Sequence, residues 1–192
     1  MVGTEDGLFI LKHNDTKFTN ASDIINKNQA KTVLSLLEDK EGNIWIGTYG
    51  QGIIIYNPKT KTTKKTLSDN SKIGTITKLI QDKNGTVWAG TFDAGLFAIN
   101  PNTLDYKQFN ESNGLTSNTV YCIFENKEDN TIWVGTLNGG LCILNFVNSI
   151  DRPLVSVFKH LENKNSISSN SINNIYKDKK GNLLVRDKQW LK

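Results

Sequence analysis

Few side chains in this chain have the type and spacing to do chemistry. The two cysteines, Cys122 and Cys142, lie too far apart for a metal knuckle or a redox pair, and neither histidine, His13 or His160, stands near them. No metal ligand set and no cofactor is expected. Glu128 and Asp129 share one irregular turn and read as solvated. No acidic pair recurs at strand ends, and no nucleophile, histidine and acid stand in a triad-like order, so no enzyme activity is expected. Trp45, Trp88 and Trp133 invite reading as sugar-stacking platforms, and the Gly-Thr pairs that follow them as phosphate cradles. Both features recur once per repeat, and that recurrence favours a structural role: an indole packed between sheets, a glycine allowing close approach, and a threonine capping a strand.

The elements that position these residues follow from the repeat itself. Gly-Thr pairs begin at Gly3, Gly47, Gly90 and Gly135, at spacings of 44, 43 and 45 residues. The structural repeat motif comprises Trp45, Gly47 and Thr48, then Trp88, Gly90 and Thr91, then Trp133, Gly135 and Thr136. An apolar run precedes each motif, Val33–Leu37, Ile76–Ile80 and Val120–Phe124, and a fourth such run, Ile172–Tyr176, follows the last. Asp-Lys-x-Gly turns follow three of these runs, and such turns use glycine for a positive φ. Downstream come Ile53–Tyr56 and Leu96–Ile99, each closed by Asn-Pro, and then a short fourth strand. Each repeat is thus four antiparallel strands, a to d. The third strand is apolar on both faces and needs neighbours on both sides.

Radial stacking of four-stranded sheets meets that need. The fold class expected is all-β, a partial β-propeller of about four four-stranded antiparallel blades. Residues 1–192 form a single arc, with blades over about 32–67, 75–109 and 119–159. Residues 2–19 and 171–186 supply the outer and inner strands of a split fourth blade. A β-solenoid is the competing plan, but its coils are shorter than this repeat. Cys122 and Cys142 fall on strands a and c of one blade, about 9–10 Å apart across strand b. That is too far for a disulfide, so both are expected to be reduced core residues.

Ligands of propellers meet the face that carries the b–c and d–a loops. Here those loops present Tyr49, Gln51, Phe92, Asp93, Leu137 and Asn138, with Asn118 and Asn170. They vary between repeats while the frame does not. Aromatic rings beside amides suit a polar ligand such as an oligosaccharide; ordinary surface is the alternative. Two uncovered blade faces would be apolar, so self-association is expected, with a homodimer closing two arcs into one ring. Closure of one chain into a small ring through its own half-blades is the rival.

The net charge of +4 comes almost wholly from lysine, the only arginines being Arg152 and Arg186. The lysines are scattered through turns, and the densest group, Lys59, Lys61, Lys64 and Lys65, reads as edge protection. No nucleic-acid partner is expected. No run is long and apolar enough to be a membrane segment. Met1 to Leu11 has no leader pattern, so the chain as written is expected in the cytoplasm.

The string from Asp39 to Ile53, Asp-Lys-x-Gly-Asn-Ile-Trp-Ile-Gly-Thr-x-x-x-Gly-Ile, resembles the two-component regulator propeller repeat. Leu115–Val120 and Ser168–Ile172 resemble the start of that repeat. The resemblance covers almost the whole chain. It implies a piece of the periplasmic sensor region of a Bacteroides-type hybrid two-component receptor, which senses glycan breakdown products and signals through kinase modules. No phosphoacceptor or ATP-binding motif is present to carry over. The implied function is a non-catalytic propeller fragment for ligand sensing or as a signal-transduction scaffold. A structural or protein-interaction piece, or a remnant with no independent function, is the alternative.

The ends depart from the repeat. Met1-Val2-Gly3-Thr4 begins inside a motif, and after Asp178–Leu183 the expected Trp and Gly-Thr are replaced by Leu184 to Lys192. Synonymous codons exist for that stretch in which a one-base shift restores Trp-Leu-Gly-Thr-Asn-Asn-Gly-Leu. The sequence therefore suggests a truncated or frameshifted piece of a longer sensor, with Arg186, Asp187 and Lys188 frayed or at an edge.

Overall fold

A computed structural model describes residues 1–27, 29–68, 73–146 and 153–187. The readings that fall on 147–152, inside the third expected blade, and on 188–192 lie outside the described residues. The first sheet is β1 (Val2–Thr4), β2 (Gly7–Ile10) and β3 (Thr19–Asn20), followed by one helical turn, α1 (Asp23–Asn26). Three four-stranded meanders come next. They are β4 (Val33–Glu38), β5 (Ile44–Thr48), β6 (Ile53–Asn57) and β7 (Thr62–Thr66); β8 (Ile76–Gln81), β9 (Val87–Thr91), β10 (Leu96–Ile99) and β11 (Tyr106–Phe109); and β12 (Val120–Asn126), β13 (Thr131–Thr136), β14 (Leu141–Asn145) and β15 (Leu154–Phe158). A hairpin of β16 (Ile172–Lys177) and β17 (Leu183–Asp187) ends the described chain. Every strand pair is antiparallel.

Successive sheets stack face to face, and their first strands lie against one another: β4 on β8, β8 on β12, β12 on β16. That is an arc of propeller blades with the first strand of each blade innermost. The first three-stranded sheet and the β16–β17 hairpin are separate sheets that share no strand pairing among the described residues. The cores lie between blades rather than within them. Trp45, Ile53 and Ile55 of one blade pack on Leu79, Val87, Ala89 and Phe97 of the next. Trp88, Leu96 and Phe109 likewise meet Ile123, Ile132, Val134 and Leu144. The third strand supplies both joints at once. All four residues of β10 are buried because each of its faces covers a neighbour.

Each inner strand also carries a bulge that the repeat pattern did not signal. The pairing slips between Val33 and Ser35, Ile76 and Lys78, Val120 and Cys122, and Ile172 and Asn174. Each slip is a bulge of one residue opposite the Gly-Thr pair or its equivalent. A bulge bends its strand and increases the local twist, and here it does so where the strand crosses the neighbouring blade.

The Gly-Thr pair forms the joint. A Cβ on Gly47, Gly90 or Gly135 would stand 2.8, 2.7 or 2.8 Å from a methyl carbon of Ile76, Val120 or Ile172 in the next blade. Gly3 bears the same relation to Val33. The β-branched side chain fills the space that glycine leaves. The threonine hydroxyl closes its own turn: Thr48, Thr91 and Thr136 donate through Oγ1 to the carbonyls of Gly52, Gly95 and Gly140, at 2.8 Å each.

The tryptophans are anchored by the turns before them. Asp39 accepts through Oδ1 from the amides of Glu41 and Asn43 and through Oδ2 from Trp45 Nε1 at 2.8 Å. Asp82 does the same for Asn84, Thr86 and Trp88. A buried indole N–H without a partner costs about 1–3 kcal/mol, so the aspartate removes the main obstacle to full burial of Trp45 and Trp88. Trp133 packs on the core between its blade and the final hairpin, but with a different anchor. Its turn carries one extra residue and Asn126 in place of the aspartate, its Nε1 donates to Thr131 Oγ1 at 2.9 Å, and it is only half-buried.

Candidate functional site

The b–c turns are tight and alike. In each, a glycine amide crosses to the carbonyl just before the next blade: Gly52 to Gly74 at 2.9 Å, Gly95 to Asn118 at 2.7 Å, Gly140 to Asn170 at 2.8 Å. These glycines hold positive φ, and a Cβ on any of them would lie 2.1–2.4 Å from the carbonyl oxygen of Leu67, Phe109 or Phe158. The residue after each threonine is fixed through its backbone, Tyr49 to the Thr32 carbonyl, Phe92 to Thr75 and Leu137 to Thr119, at 2.9–3.1 Å. Tyr49, Phe92 and Leu137 therefore occupy equivalent places on one end of three successive blades. Tyr49 is 66% and Phe92 44% exposed. Asp93 beside Phe92 is exposed, Gln51 and Leu137 are half-buried.

The asparagines expected with them have structural work. Asn118 Oδ1 accepts from the Glu111 amide at 3.0 Å, and its own amide donates to Glu111 Oε1. Asn170 Oδ1 accepts from the His160 amide at 2.7 Å. Asn138 holds φ at 60° and is bonded to Ser171 of the next hairpin through both its amide and its Oδ1. The eight residues thus share one end of the arc: Tyr49, Phe92 and Asp93 are exposed, Gln51 and Leu137 are half-buried, Asn118 and Asn170 are bonded within their own loops, and Asn138 is bonded across to the final hairpin.

The opposite end, built by a–b and c–d turns, holds a cavity of about 520 Å3 lined by Lys40, Gln81, Asn84, Asn100 and Tyr106 among others. Sequence reasoning passed over this end. The same end carries a ladder between blades. Lys40 donates through its amide to Gln81 Oε1 and through Nζ to the Lys83 carbonyl; Lys83 repeats both bonds to Glu125 Oε1 and the Lys127 carbonyl. The recurring Lys after each Asp was the available signal. In the last hairpin Lys177 stands where Gln81 and Glu125 stand, and it reaches back to Asn126 Oδ1 and to Glu128 Oε2 at 2.6 Å.

Burial pushes the Cys122 thiol up to about 12, against a weaker opposing bond to the Gly135 backbone. Cys142 is buried as well, and both are free thiols, separated by β13. Asp178 is held below the ordinary carboxylate range by its bond to the Asn182 side chain and then by the amides of its own turn. No cluster of metal-ligating side chains occurs among the described residues. No helix there is long and apolar enough to cross a membrane.

Stacked four-stranded blades with glycine joints define a propeller-repeat protein. The family model of the two component regulator propeller matches residues 29–50, 71–93 and 114–138. Each matched stretch takes in the first two strands of a blade and ends in its b–c turn. Among solved structures, it resembles the extracellular domain described as that of the hybrid two component system BT3049 of B. thetaiotaomicron, with 22% identity and a TM-score of 0.73 over 96% of this chain. The extracellular domain of BT4673 from the same organism gives 24% identity and 0.76 over 95%. The Swd1 β-propeller domain of Myceliophteria thermophila gives 13% and 0.53 over 82% of this chain and 49% of its own. The chain spans about a quarter of the length of the two extracellular domains, 23% and 24%. No curated protein matches it.

Proposed function

We propose that this chain is a non-catalytic propeller segment from the extracellular sensing region of a two-component receptor, and that its b–c turns take a polar ligand of the oligosaccharide class. Tyr49 and Phe92 carry the reading. They are large, exposed rings on turns whose backbone is fixed from both sides, so ordering them on binding costs little. Asp93 and Gln51 beside them offer hydrogen-bond groups for sugar hydroxyls. Titration calorimetry with a panel of defined oligosaccharides tests this. A ligand is expected to bind the chain and to lose about tenfold or more in affinity to Tyr49→Ala or Phe92→Ala. Binding unchanged by both, or no binding across the panel, sinks it.

A second reading, a scaffold that binds no small ligand, is favoured by Asn118, Asn138 and Asn170, whose side chains are engaged in holding loops and blades together. The expected self-association through open blade faces meets both support and an obstacle. Val2 and Leu11 at one end, and Tyr176 and Leu184 at the other, are exposed apolar residues. Arg186, however, stands where Gly47, Gly90 and Gly135 stand in their motifs. A blade seated on β17 in the interior register would meet that side chain where every other joint has none. Association through this face therefore needs a different register.

A further inference from the structure

We propose that β15 is a pairing edge, and that two copies of this chain join there through antiparallel β15 strands centred on Ser156. The strand is outermost in its sheet, with β14 on one side and no strand on the other among the described residues. Its counterparts β7 and β11 hold the same place in their blades. Those two carry lysine, Lys64 and Lys65 in one and Lys107 in the other. Lysine on an edge strand is a common guard against pairing with another chain. β15 reads Leu-Val-Ser-Val-Phe and has no charge at all. Leu154 is 68%, Phe158 51% and Val157 42% exposed, a continuous apolar patch along one strand rather than scattered single residues.

The order of residues selects the partner. Read in the opposite direction, the strand is nearly itself. Aligned antiparallel about Ser156, Leu154 faces Phe158 of the second copy, Val155 faces Val157, and Ser156 faces Ser156. Each facing pair is thus aliphatic with aromatic, β-branched with β-branched, or hydroxyl with hydroxyl, the pairs that stabilise neighbouring strands. No like charges are opposed. The two sheets β12–β15 would merge into one sheet across a two-fold axis, which closes the assembly at two copies and consumes the free edge. The contact is small, so micromolar affinity is expected. It involves neither the Tyr49 and Phe92 turns nor the end faces, and its test is independent of ligand binding.

The experiment is sedimentation equilibrium on the 192-residue chain with Ser156→Lys, Ser156→Glu and their equimolar mixture. Ser156 is exposed, so both variants should keep the parent's circular dichroism and melting temperature. The parent is expected to dimerise reversibly. Each variant alone should be monomeric, because like charges then meet at the axis, and the mixture should recover the dimer as a heterodimer. A parent that stays monomeric up to roughly 200 μM, well beyond micromolar affinity, overturns the proposal. So do single variants that dimerise like the parent, which would place association on another surface, or a mixture that fails to recover the dimer.

Discussion

Gly90→Ala tests the blade joint most directly. Gly90 has no positive φ, so an alanine there is free of backbone strain and the effect is purely one of space. The new methyl would stand 2.7 Å from Val120 Cγ1, 3.1 Å from Thr77 Oγ1 and 3.2 Å from Val120 Cβ. Carbon atoms prefer roughly 3.5–4.0 Å, so the closest contact must open by about 1 Å. β9 is held on both sides, by β8 and β10, and β12 is pinned by β13, so neither backbone yields easily. Overpacking of this sort costs about 1–3 kcal/mol. The loss of glycine freedom in the unfolded chain returns about 0.4–1 kcal/mol. A net loss of about 1–2 kcal/mol is expected. Val120 is fully buried, and Val120→Ala alone should cost about 2 kcal/mol through the space it empties. In the double variant the methyl introduced by Gly90→Ala enters that space, and only the 3.1 and 3.2 Å contacts remain. The pair should therefore lose about 1–2 kcal/mol less than the sum of the singles. Urea unfolding followed by tryptophan fluorescence measures all four corners of the cycle. A Gly90→Ala chain as stable as the parent, or strict additivity, refutes the view that glycine is there to admit the next blade.

Asp39→Ala is expected to cost about 2–4 kcal/mol, since it removes several bonds and leaves the Trp45 N–H buried without a partner; Asp178→Ala, in an exposed turn with no tryptophan to anchor, should cost clearly less by the same urea titration. The Asp178 pKa is lowered on folding, so its contribution is present above the unfolded value of 3.8 and is lost as pH falls through the lower folded value; the stability difference between parent and Asp178→Ala should therefore shrink at acid pH. Cys122 is shifted the other way, so its contribution is full below 9.0 and declines as pH rises from there toward about 12. With its thiol pushed up by burial and the thiolate being the reactive form, Cys122 should react with a thiol reagent only when the chain unfolds, and labelling of the native protein at the rate of free cysteine would contradict this.

The all-β architecture was legible because the repeat places each apolar run, turn and Gly-Thr pair at a fixed offset, and these local signals agree with one another. The role of glycine and threonine at the joint could be reasoned from their sizes and groups. The indole anchor was within reach, since Asp39 and Asp82 each precede a tryptophan by six residues, but a hydrogen bond six residues away carries no periodic mark. The bulges at Leu34, Thr77, Tyr121 and Asn173 had no signal, because a bulge leaves the apolar run looking continuous. Among the candidate site residues, variability between repeats picked out loops that share one end of the arc. It could not separate Tyr49 and Phe92, which face solvent, from Asn118, Asn138 and Asn170. A loop asparagine offers the same groups to a ligand and to a neighbouring loop, and only tertiary contact decides between them.

The lysine ladder on the turn end has a mechanical meaning. Lys40 ties its blade to Lys83, and Lys83 ties the next to Lys127, while on the far end the glycine amides tie the same blades at Gly74, Asn118 and Asn170. The joints between the three four-stranded blades are thus laced along both margins with a packed seam between, like panels stitched at top and bottom. Tension applied along the chain pulls on whole blades through their outer strands and loads these two rows of stitches together. A blade should then leave the stack as one unit, giving under a pulling probe a short series of similar rupture events spaced by the length of one repeat, with the two-stranded β16–β17 hairpin, which lacks outer strands among the described residues, going first.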